Sequence, residues 1–464
     1  MKVGLAFLPA WIPYNPPLGI SCISAVIEKE GHEVSFFDYN AYIYDQIKDD
    51  YGHLWLMDES PIWIDFDSFK KEIYPHIKSY LFKLVKEILS KNLDAIGFSI
   101  YDSNSHPTII VIQNLRRIFP DLKVFIGGAR VNDIFAKELF GLGLIDAAII
   151  GEGEETAIEL LKYWQDDIVD SVEESEIAGA IYKNKSGEVI YGKKRALLHM
   201  KNLPIPDFSK FDLERYTSNG FPVEFSRGCV AKCTFCSETN YWVSFRTKTP
   251  RQIVDEFKYH YDNYGVNQFR IVDSLMNGNH KLLEDMCDII LDEKLDVYWH
   301  GFCRISNKLT PTLLKKMKSA GCSYINYGIE SGSQNVLNLM KKRYKLSEIL
   351  ETVQHTKDAN IEVHAQILIG FPGETWFNFY ETLKMLKTLR SCFSRIYPGV
   401  PLNVTRQTHL FDNLDDYNIK LISSEKWRTK NFSNTYTMRQ VRHWILKKYL
   451  KYIEITQGYP LEVE

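Results

Sequence analysis

The chain has 464 residues, a length that suits two or three domains. Hydrophobic residues make up 45% and charged residues 25%, an ordinary globular balance that excludes a disordered chain, and a formal net charge of -3 leaves no basic footprint for a nucleic-acid partner. Eight cysteines are too few for a disulfide scaffold, and no stretch approaches the roughly 18 consecutive apolar residues of a membrane-spanning helix. The opening "MKVGLAFLPAWIPYNPP" reads as a buried strand followed by a proline-bearing turn, not as a signal peptide. The expectation is a cytoplasmic, reduced protein with no membrane span, in which clustered cysteines bind metal or do chemistry.

Residues 1–165 alternate short apolar runs with helical patterns. "KVGLAFL" reads as a strand, "GISCISAVIEKEG" as a helix ended by Gly31, and "HEVSFFD" as the next strand. A wetter, aromatic insertion near 41–75 interrupts the series. It resumes with strands "LDAIGFS", "LKVFIGG" and "IDAAII", the helices "PTIIVIQNLRRIF" and "VNDIFAKEL", and a last helix opened by "GEGEETAIELLKYW". Apolar strands separated by helices predict βαβ units on a parallel sheet, a Rossmann-like domain. Residues 166–220 hold a predicted hairpin with its turn at Asn184 to Gly187, then the extended linker "NLPIPDFSKFD".

Residues 221–400 form a second α/β series, with strands predicted near 222–226, 267–273, 296–303, 324–330, 362–370 and 394–398. Thr249-Pro250 and Thr310-Pro311 each pair an N-cap with a proline at the first helical position. Six strands suit a partial (β/α)6 barrel. Residues 401–464 are expected to be a mainly helical, substrate-associated region. There "TMRQVRHWILKKYLKYIEI" predicts an amphipathic helix with Met438, Val441, Ile445, Tyr449 and Tyr452 on its apolar stripe. Arg439, Arg442, Lys447, Lys448 and Lys451 fall on a solvated basic face.

The stretch "EFSRGCVAKCTFCSE" places Cys229, Cys233 and Cys236 within eight positions, directly after the first strand of the second series. Three readings compete. Three packing cysteines fit poorly in a loop that carries glycine and lysine. A structural zinc site needs four ligands, and no second half-site is visible, because Cys287, Cys303 and Cys322 stand alone in helix or strand patterns. The third reading is an iron–sulfur cluster held by three thiolates, which leaves one iron open to a substrate. Other chemical groups gather at the same end of the predicted barrel. Asp273 ends the second strand, Arg304 the third and Glu330 the fourth, and "GFPGE" (370–374) follows the fifth. Side chains at the C-terminal ends of parallel strands converge on one mouth.

The spacing Cys229-x-x-x-Cys233-x-x-Cys236, with Phe235 before the last cysteine, resembles the signature of the radical S-adenosylmethionine (SAM) superfamily. "GIESGSQNVLNLMKKRY" and "ILIGFPGET" resemble its ribose-side and adenine-side segments. The resemblance implies a [4Fe–4S] cluster on the three cysteines and SAM chelated to the open iron. By the same resemblance Glu330 and Ser331 lie near the ribose and methionine end, Gly370 and Glu374 in the turn that faces the adenine, and Arg304 at a recurring arginine. The chain departs from the pattern at the second strand, "VDSLMNGN", where Asp273 or Ser274 would replace the usual acidic segment that holds the methionine amino group.

"YNPPLGISCISAVIEKEGHEVSFFD", "IGFSIYDSN", "VFIGGARV" and "IIGEGEET" together resemble the cobalamin-binding domain of one large radical SAM subfamily, the class B methyltransferase type. That resemblance assigns cobalamin to Pro17, Leu18, Gly19, Ser99, Tyr101, Ser103, Gly127, Gly128, Gly151, Glu152, Gly153 and Glu154. Glycines there admit a bulky ligand, and helix N-termini offer amide donors. The loop "LPAWIPYNPPLGIS" has no histidine where such domains place a lower axial ligand, and His106 lies in a different loop. The implied activity is methylation of an unactivated carbon of a small-molecule or peptide substrate, served by a reductase or flavodoxin-type electron donor. A cobalamin-binding radical enzyme that catalyses rearrangement, oxidation or cyclisation is the alternative. Methylthiolation of RNA is disfavoured, because only Cys22 precedes Cys229 and a second cluster would need more.

Overall fold

Among the described residues, the first half of the chain builds one sheet from seven strands. They are β1 (Lys2–Phe7), β2 (Glu33–Asp38), β3 (Ala95–Ser99), β4 (Lys123–Gly127), β5 (Ala147–Ile149), β6 (Ala180–Lys183) and β7 (Val189–Tyr191). Five of the six β1 residues are buried, the pattern of a central parallel strand covered on both faces. This computed structural model describes residues 1–9, 11–165, 176–218 and 220–457. The chain divides into two units, Met1–Asn219 and Gly220–Glu464.

The strand order of the first unit is β2-β1-β3-β4-β5-β6-β7, with β1 to β5 parallel and β6 and β7 added antiparallel. The order reverses between β1 and β3, so the loops leaving those strands diverge and open the crevice in which doubly wound sheets bind ligands. The hairpin is therefore the antiparallel edge of the first sheet, not part of a separate linker. The insertion also differs from its wet appearance. Trp55 and Trp63 are almost fully buried, and their indole N–H groups donate to Asn40 Oδ1 (3.0 Å) and the Leu54 carbonyl (2.7 Å). A 17-residue helix, Tyr74–Ser90, then leads into β3.

The second unit carries β8 (Phe221–Val223), β11 (Gln268–Ile271), β12 (Tyr298–Cys303), β13 (Cys322–Glu330), β14 (Glu362–Ile367), β15 (Arg395–Tyr397) and β18 (Thr456–Gln457) in one parallel sheet. Their order is β18-β15-β14-β13-β12-β11-β8. A short ribbon, β9 (Ser226–Arg227) with β10 (Arg246–Thr247), closes the base of the cysteine loop. A second, β16 (Ile419–Leu421) with β17 (Trp427–Thr429), lies beyond β15. The six sequence-derived strands are thus joined by a two-residue edge strand, and the region after 400 is part strand and not mainly helical. The helix starts follow their signals: Thr249 forms a capping box with Gln252, and Thr310 accepts from the Leu313 amide, each followed by proline.

The C-terminal helix Tyr436–Tyr452 is rotated relative to its sequence reading. Arg439 and Arg442 are fully buried, whereas Val441 and Tyr452 of the expected apolar stripe are 43% and 78% exposed. Aromatic partners explain the reversal: the Arg439 guanidinium lies 3.7 Å from the Trp427 ring and that of Arg442 lies 4.7 Å from Trp376. None of the helices among the described residues is long and apolar enough to cross a membrane.

The turn after β4 generates a first prediction. Gly128 has φ +103°, and a Cβ there would lie 2.7 Å from the Ile100 carbonyl oxygen. Gly128→Ala should therefore destabilise the first unit by about 2 kcal/mol or more, since both backbone strain and overlap oppose it. Urea unfolding followed by tryptophan fluorescence measures this, and an unchanged midpoint would contradict the packing described.

Candidate active site

The cysteine loop is held from both sides. The Thr234 amide donates to the Met340 carbonyl (3.1 Å), and the Leu410 amide donates to the Thr234 carbonyl (2.8 Å). Phe235 sits 6.4 Å from Phe371 and below the Lys342 ammonium, so it packs the loop against the segment after β14. Cys229, Cys233 and Cys236 are partly buried and unbridged. Burial pushes the Cys229 thiol up, and burial with the Glu238 carboxylate and the two neighbouring thiols pushes Cys236 to about 11. These two thiols are therefore protonated until a cationic centre displaces the protons.

Among the described residues, no three Cys, His, Asp or Glu side chains gather around a point where one ion would sit. Three thiols are one short of the four ligands of a structural zinc site, whereas three thiolates can each take one corner of an iron–sulfur cluster.

The second strand supplies supports for the loop. Both Asp273 oxygens accept hydrogen bonds, from the Phe225 amide (2.7 Å) and from the Ser226 hydroxyl. Ser274 donates to Glu238, two residues beyond Cys236. Asp273 and Ser274 thus tie down the two ends of the cysteine segment. The Asp273 carboxyl, expected with Ser274 as a replacement for the acidic group that holds a methionine amine, is buried and engaged by the Phe225 amide and the Ser226 hydroxyl.

Arg304 leaves β12 with its backbone held by one residue: Asn277 accepts from the Arg304 amide (2.9 Å) and donates to its carbonyl (2.8 Å). Its guanidinium lies 5.4 Å from the Tyr344 ring. Glu330 ends β13 at φ +65° and accepts from Lys342 Nζ (2.9 Å), which also donates to the Gly328 carbonyl (3.1 Å). Burial lowers the Lys342 ammonium, but Glu330 and nearby groups outweigh it and hold the lysine above its ordinary range. Tyr344 donates to the Gly328 carbonyl (2.9 Å). Arg304, Glu330, Lys342 and Tyr344 therefore form one cluster, and both cations act on Cys229. Sequence reasoning missed Asn277, Lys342 and Tyr344; the last two lie in the quoted "MKKRY", where a run of cations reads as solvated.

Ser331 is fully buried, with its hydroxyl 3.1 Å from Thr382 Oγ1, so it faces a helix and not the mouth. Glu374 is likewise buried. Its carboxylate accepts from the Gly370 amide (2.8 Å) and Arg442 (3.1 Å), and burial raises it to about 7. It closes the "GFPGE" turn on itself and does not offer its side chain outward.

In the first unit the sequence-derived positions all end or follow β1, β3, β4 or β5. Trp11, after β1, meets Tyr101, after β3, edge-on at 4.8 Å across the switch point, with Phe7 beneath both. Asn104 fixes that loop by accepting from the Tyr101 amide (2.8 Å) and donating to the Ser99 carbonyl (3.0 Å). Burial raises the Tyr101 phenol. Ser103 is half-buried in the same turn, Pro17 caps the first helix before Leu18, and Gly19 is exposed with open space around it. Gly127 and Gly151 also have room, whereas Gly128 is closed by Ile100 and Gly153 by Ile23. Glu152 accepts from the Leu198 amide (3.1 Å) and Glu154 is buried at a helix start, so these two carboxylates serve the fold. His106 is bonded to the Ile64 carbonyl (2.9 Å). A cavity of about 300 Å³ lies away from these groups, beside the end of β2, where Asp38 already accepts from Tyr216 and Glu87 from Tyr39.

Residues 223–386 match the radical SAM superfamily. The fold of the chain is similar to that of a radical SAM methyltransferase, TsrM, from Kitasatospora setae, solved with cobalamin and a [4Fe–4S] cluster, with a TM-score of 0.66 at 15% identity, covering 90% of this chain and 76% of that one. An uncharacterized methyltransferase of Pyrococcus horikoshii is 27% identical over 70% of this chain and 71% of its own length. An anaerobic magnesium-protoporphyrin IX monomethyl ester cyclase of Rubrivivax gelatinosus is 24% identical over 65% of this chain, and the chain spans only 55% of that protein. The superfamily that residues 223–386 match implies a [4Fe–4S] cluster and SAM as cofactors.

Asp273 generates the second prediction. Burial raises its carboxyl from the ordinary 3.8 to about 8 against the hydrogen bonds that favour ionisation. Between about pH 4 and 8 the folded state holds a proton that the unfolded state releases, so this group's contribution to stability falls as pH rises through that window. Asp273→Asn should flatten the decline. Urea midpoints of both proteins at pH 5 and pH 8 check it, and parallel declines would refute the assignment.

Proposed function

We propose that this chain is a cobalamin-dependent radical SAM methyltransferase that methylates an unactivated carbon of a small-molecule or peptide substrate. The observation that carries the reading is the three-thiol loop at the mouth of a parallel sheet, preceded in the same chain by a doubly wound unit with an aromatic-lined switch point. Cys229, Cys233 and Cys236 would hold the cluster. Arg304, Glu330 and Lys342 supply the charged edge beside it, suited to the ribose and methionine ends of SAM, and the backbone of Gly370 to Glu374 suits the adenine. Phe235, Asp273, Ser274 and Ser331 keep those loops in place.

In the first unit, Trp11 and Tyr101 with Leu18, Gly19, Ser99, Ser103, Gly127 and Gly151 would receive cobalamin. The loop between Leu8 and Ser21 offers no imidazole, and the His106 ring is bonded elsewhere. Together the cluster, SAM and cobalamin would supply a 5′-deoxyadenosyl radical able to remove a hydrogen atom from an inert carbon, and a transferable methyl group. Electrons come from a reductase or flavodoxin-type donor. Likeness to the cyclase supports a second reading, in which the same radical starts a cyclisation or oxidation without methyl transfer.

Anaerobically reconstituted protein should carry about four irons and bind one cobalamin. The triple variant Cys229→Ala, Cys233→Ala, Cys236→Ala should lose the iron and all SAM cleavage. With the true substrate, S-adenosylhomocysteine and 5′-deoxyadenosine should form in equal amounts, and methyl-deuterated SAM should label the product. Formation of 5′-deoxyadenosine with no S-adenosylhomocysteine and an unlabelled product would reject methyl transfer in favour of the second reading.

A further inference from the structure

The turn after β14 is held almost entirely by residues that lie beyond the superfamily match. Asn434, itself buried, donates from Nδ2 to the carbonyls of Gly370 (2.9 Å) and Phe371 (3.2 Å). The Gly370 amide donates to Glu374, and Arg442 donates to the same Glu374 oxygen from the C-terminal helix. Arg439 packs flat against Gly370: a Cβ there, at φ +85°, would fall 2.2 Å from Arg439 Cδ. Arg439 is fixed in turn by donating to the Glu425 (2.9 Å) and Trp427 (3.0 Å) carbonyls.

This is a costly arrangement. Two guanidinium groups are buried, only Arg442 has a carboxylate partner, Glu374, and Arg439 Nε with Arg442 Nε and Nη2 make no hydrogen bond. Well-packed apolar residues would fill the same space with no such desolvation cost, so stability alone does not account for it. The expense falls on the peptide groups of a single turn.

We propose that Asn434, Arg439 and Arg442 are positioning residues that hold the Gly370–Glu374 turn in its ligand-ready form, so that the C-terminal segment sets the affinity for SAM without touching it. The proposal rests on the assignment of that turn to the adenine of SAM. A turn that occupies its competent form only part of the time weakens apparent binding by that fraction. Release of either clamp should therefore raise the dissociation constant for SAM.

The test uses the full chain with its cluster reconstituted, comparing wild type with Asn434→Ala, Arg442→Met and Arg442→Lys. Equilibrium dialysis gives the SAM affinity, and hydrogen exchange of peptides spanning 369–375, measured without SAM, reports the turn itself. Asn434→Ala and Arg442→Met should bind SAM about tenfold more weakly, with faster exchange at the turn and unchanged iron content. Arg442→Lys should recover part of the loss. Arg442 is the charge that faces Glu374, with Arg439 beside it, and Glu374 loses its ionised form below about pH 7. SAM affinity should fall below that pH in the wild type, and in Arg442→Met the fall should begin at higher pH, because the cation that favours ionisation is gone. A purely structural role would lower the unfolding midpoint while leaving both the dissociation constant and its pH profile unchanged, and would overturn the proposal. Should Arg442→Met fail to fold, Asn434→Ala, which removes no charge, decides alone. A wild-type protein that does not bind SAM would sink the functional assignment itself, a failure visible before any variant is compared.

Discussion

A carboxylate taken out of water must find partners or give up its charge, and the second unit uses that constraint three times at the mouth of its sheet. Asp273 follows β11, Glu330 ends β13 and Glu374 lies beyond β14, all three buried. Each binds the loop that a cofactor would meet: Asp273 the base of the cysteine segment, Glu330 the lysine of the returning "MKKRY" strand-end, Glu374 the amide of its own turn. Their partners differ in kind, and so do their protonation states. Asp273 has only neutral donors and is driven to about 8, while Glu374 faces a guanidinium and rises only to about 7. Asp273 and Glu374 thus titrate near neutral pH behind the loops, and the cations Arg304 and Lys342 stand beside the cysteine loop.

That distribution of charge suits a ligand set that is negative or polar. A cluster held by Cys229, Cys233 and Cys236 would carry net negative charge from its three thiolates. Arg304 and Lys342 lie close enough to lower the Cys229 thiol against its burial. The same two cations lie beside the Tyr344 ring, which holds them without neutralising either. Lys342 has a carboxylate partner and Arg304 is fixed through its backbone by Asn277, so one cation is positioned by charge and the other by the chain.

Much of the architecture was legible because it rests on local rules. The proline-preceding threonines cap helices as their sequence implies, and the strand-end residues fall at one edge because parallel βα units leave no other arrangement. Three features were hidden for reasons that are also physical. Lys342 lies in a run of cations that reads as solvated, and only the return of the chain under β13 buries it. Arg439 and Arg442 fall on the polar side of the helix by periodicity, yet Trp427 and Trp376 offer ring faces that a guanidinium covers better than an aliphatic side chain. The insertion was read as wet because its aromatics are diluted by charge; Trp55 and Trp63 are buried once their N–H groups have acceptors. In each case the missing information was a partner distant in sequence.

The two units meet the demand for precise loops by different means. In the first, the switch point between β1 and β3 is set by topology: strand order alone makes the loops diverge, and a single side chain, Asn104, suffices to fix the one that carries Tyr101. In the second, parallel strands run on in order across the sheet, no reversal opens a crevice, and each loop must be braced individually by a buried polar group. A site built by topology tolerates change in its loop side chains as long as the sheet survives. One built by braces fails when a single buried partner is removed, because the group left behind is unpaired in a dry environment. Sensitivity to substitution should therefore concentrate in the second unit on residues such as Asn277, Lys342 and Asn434, whose buried partners have no other side chain among the described residues to replace them.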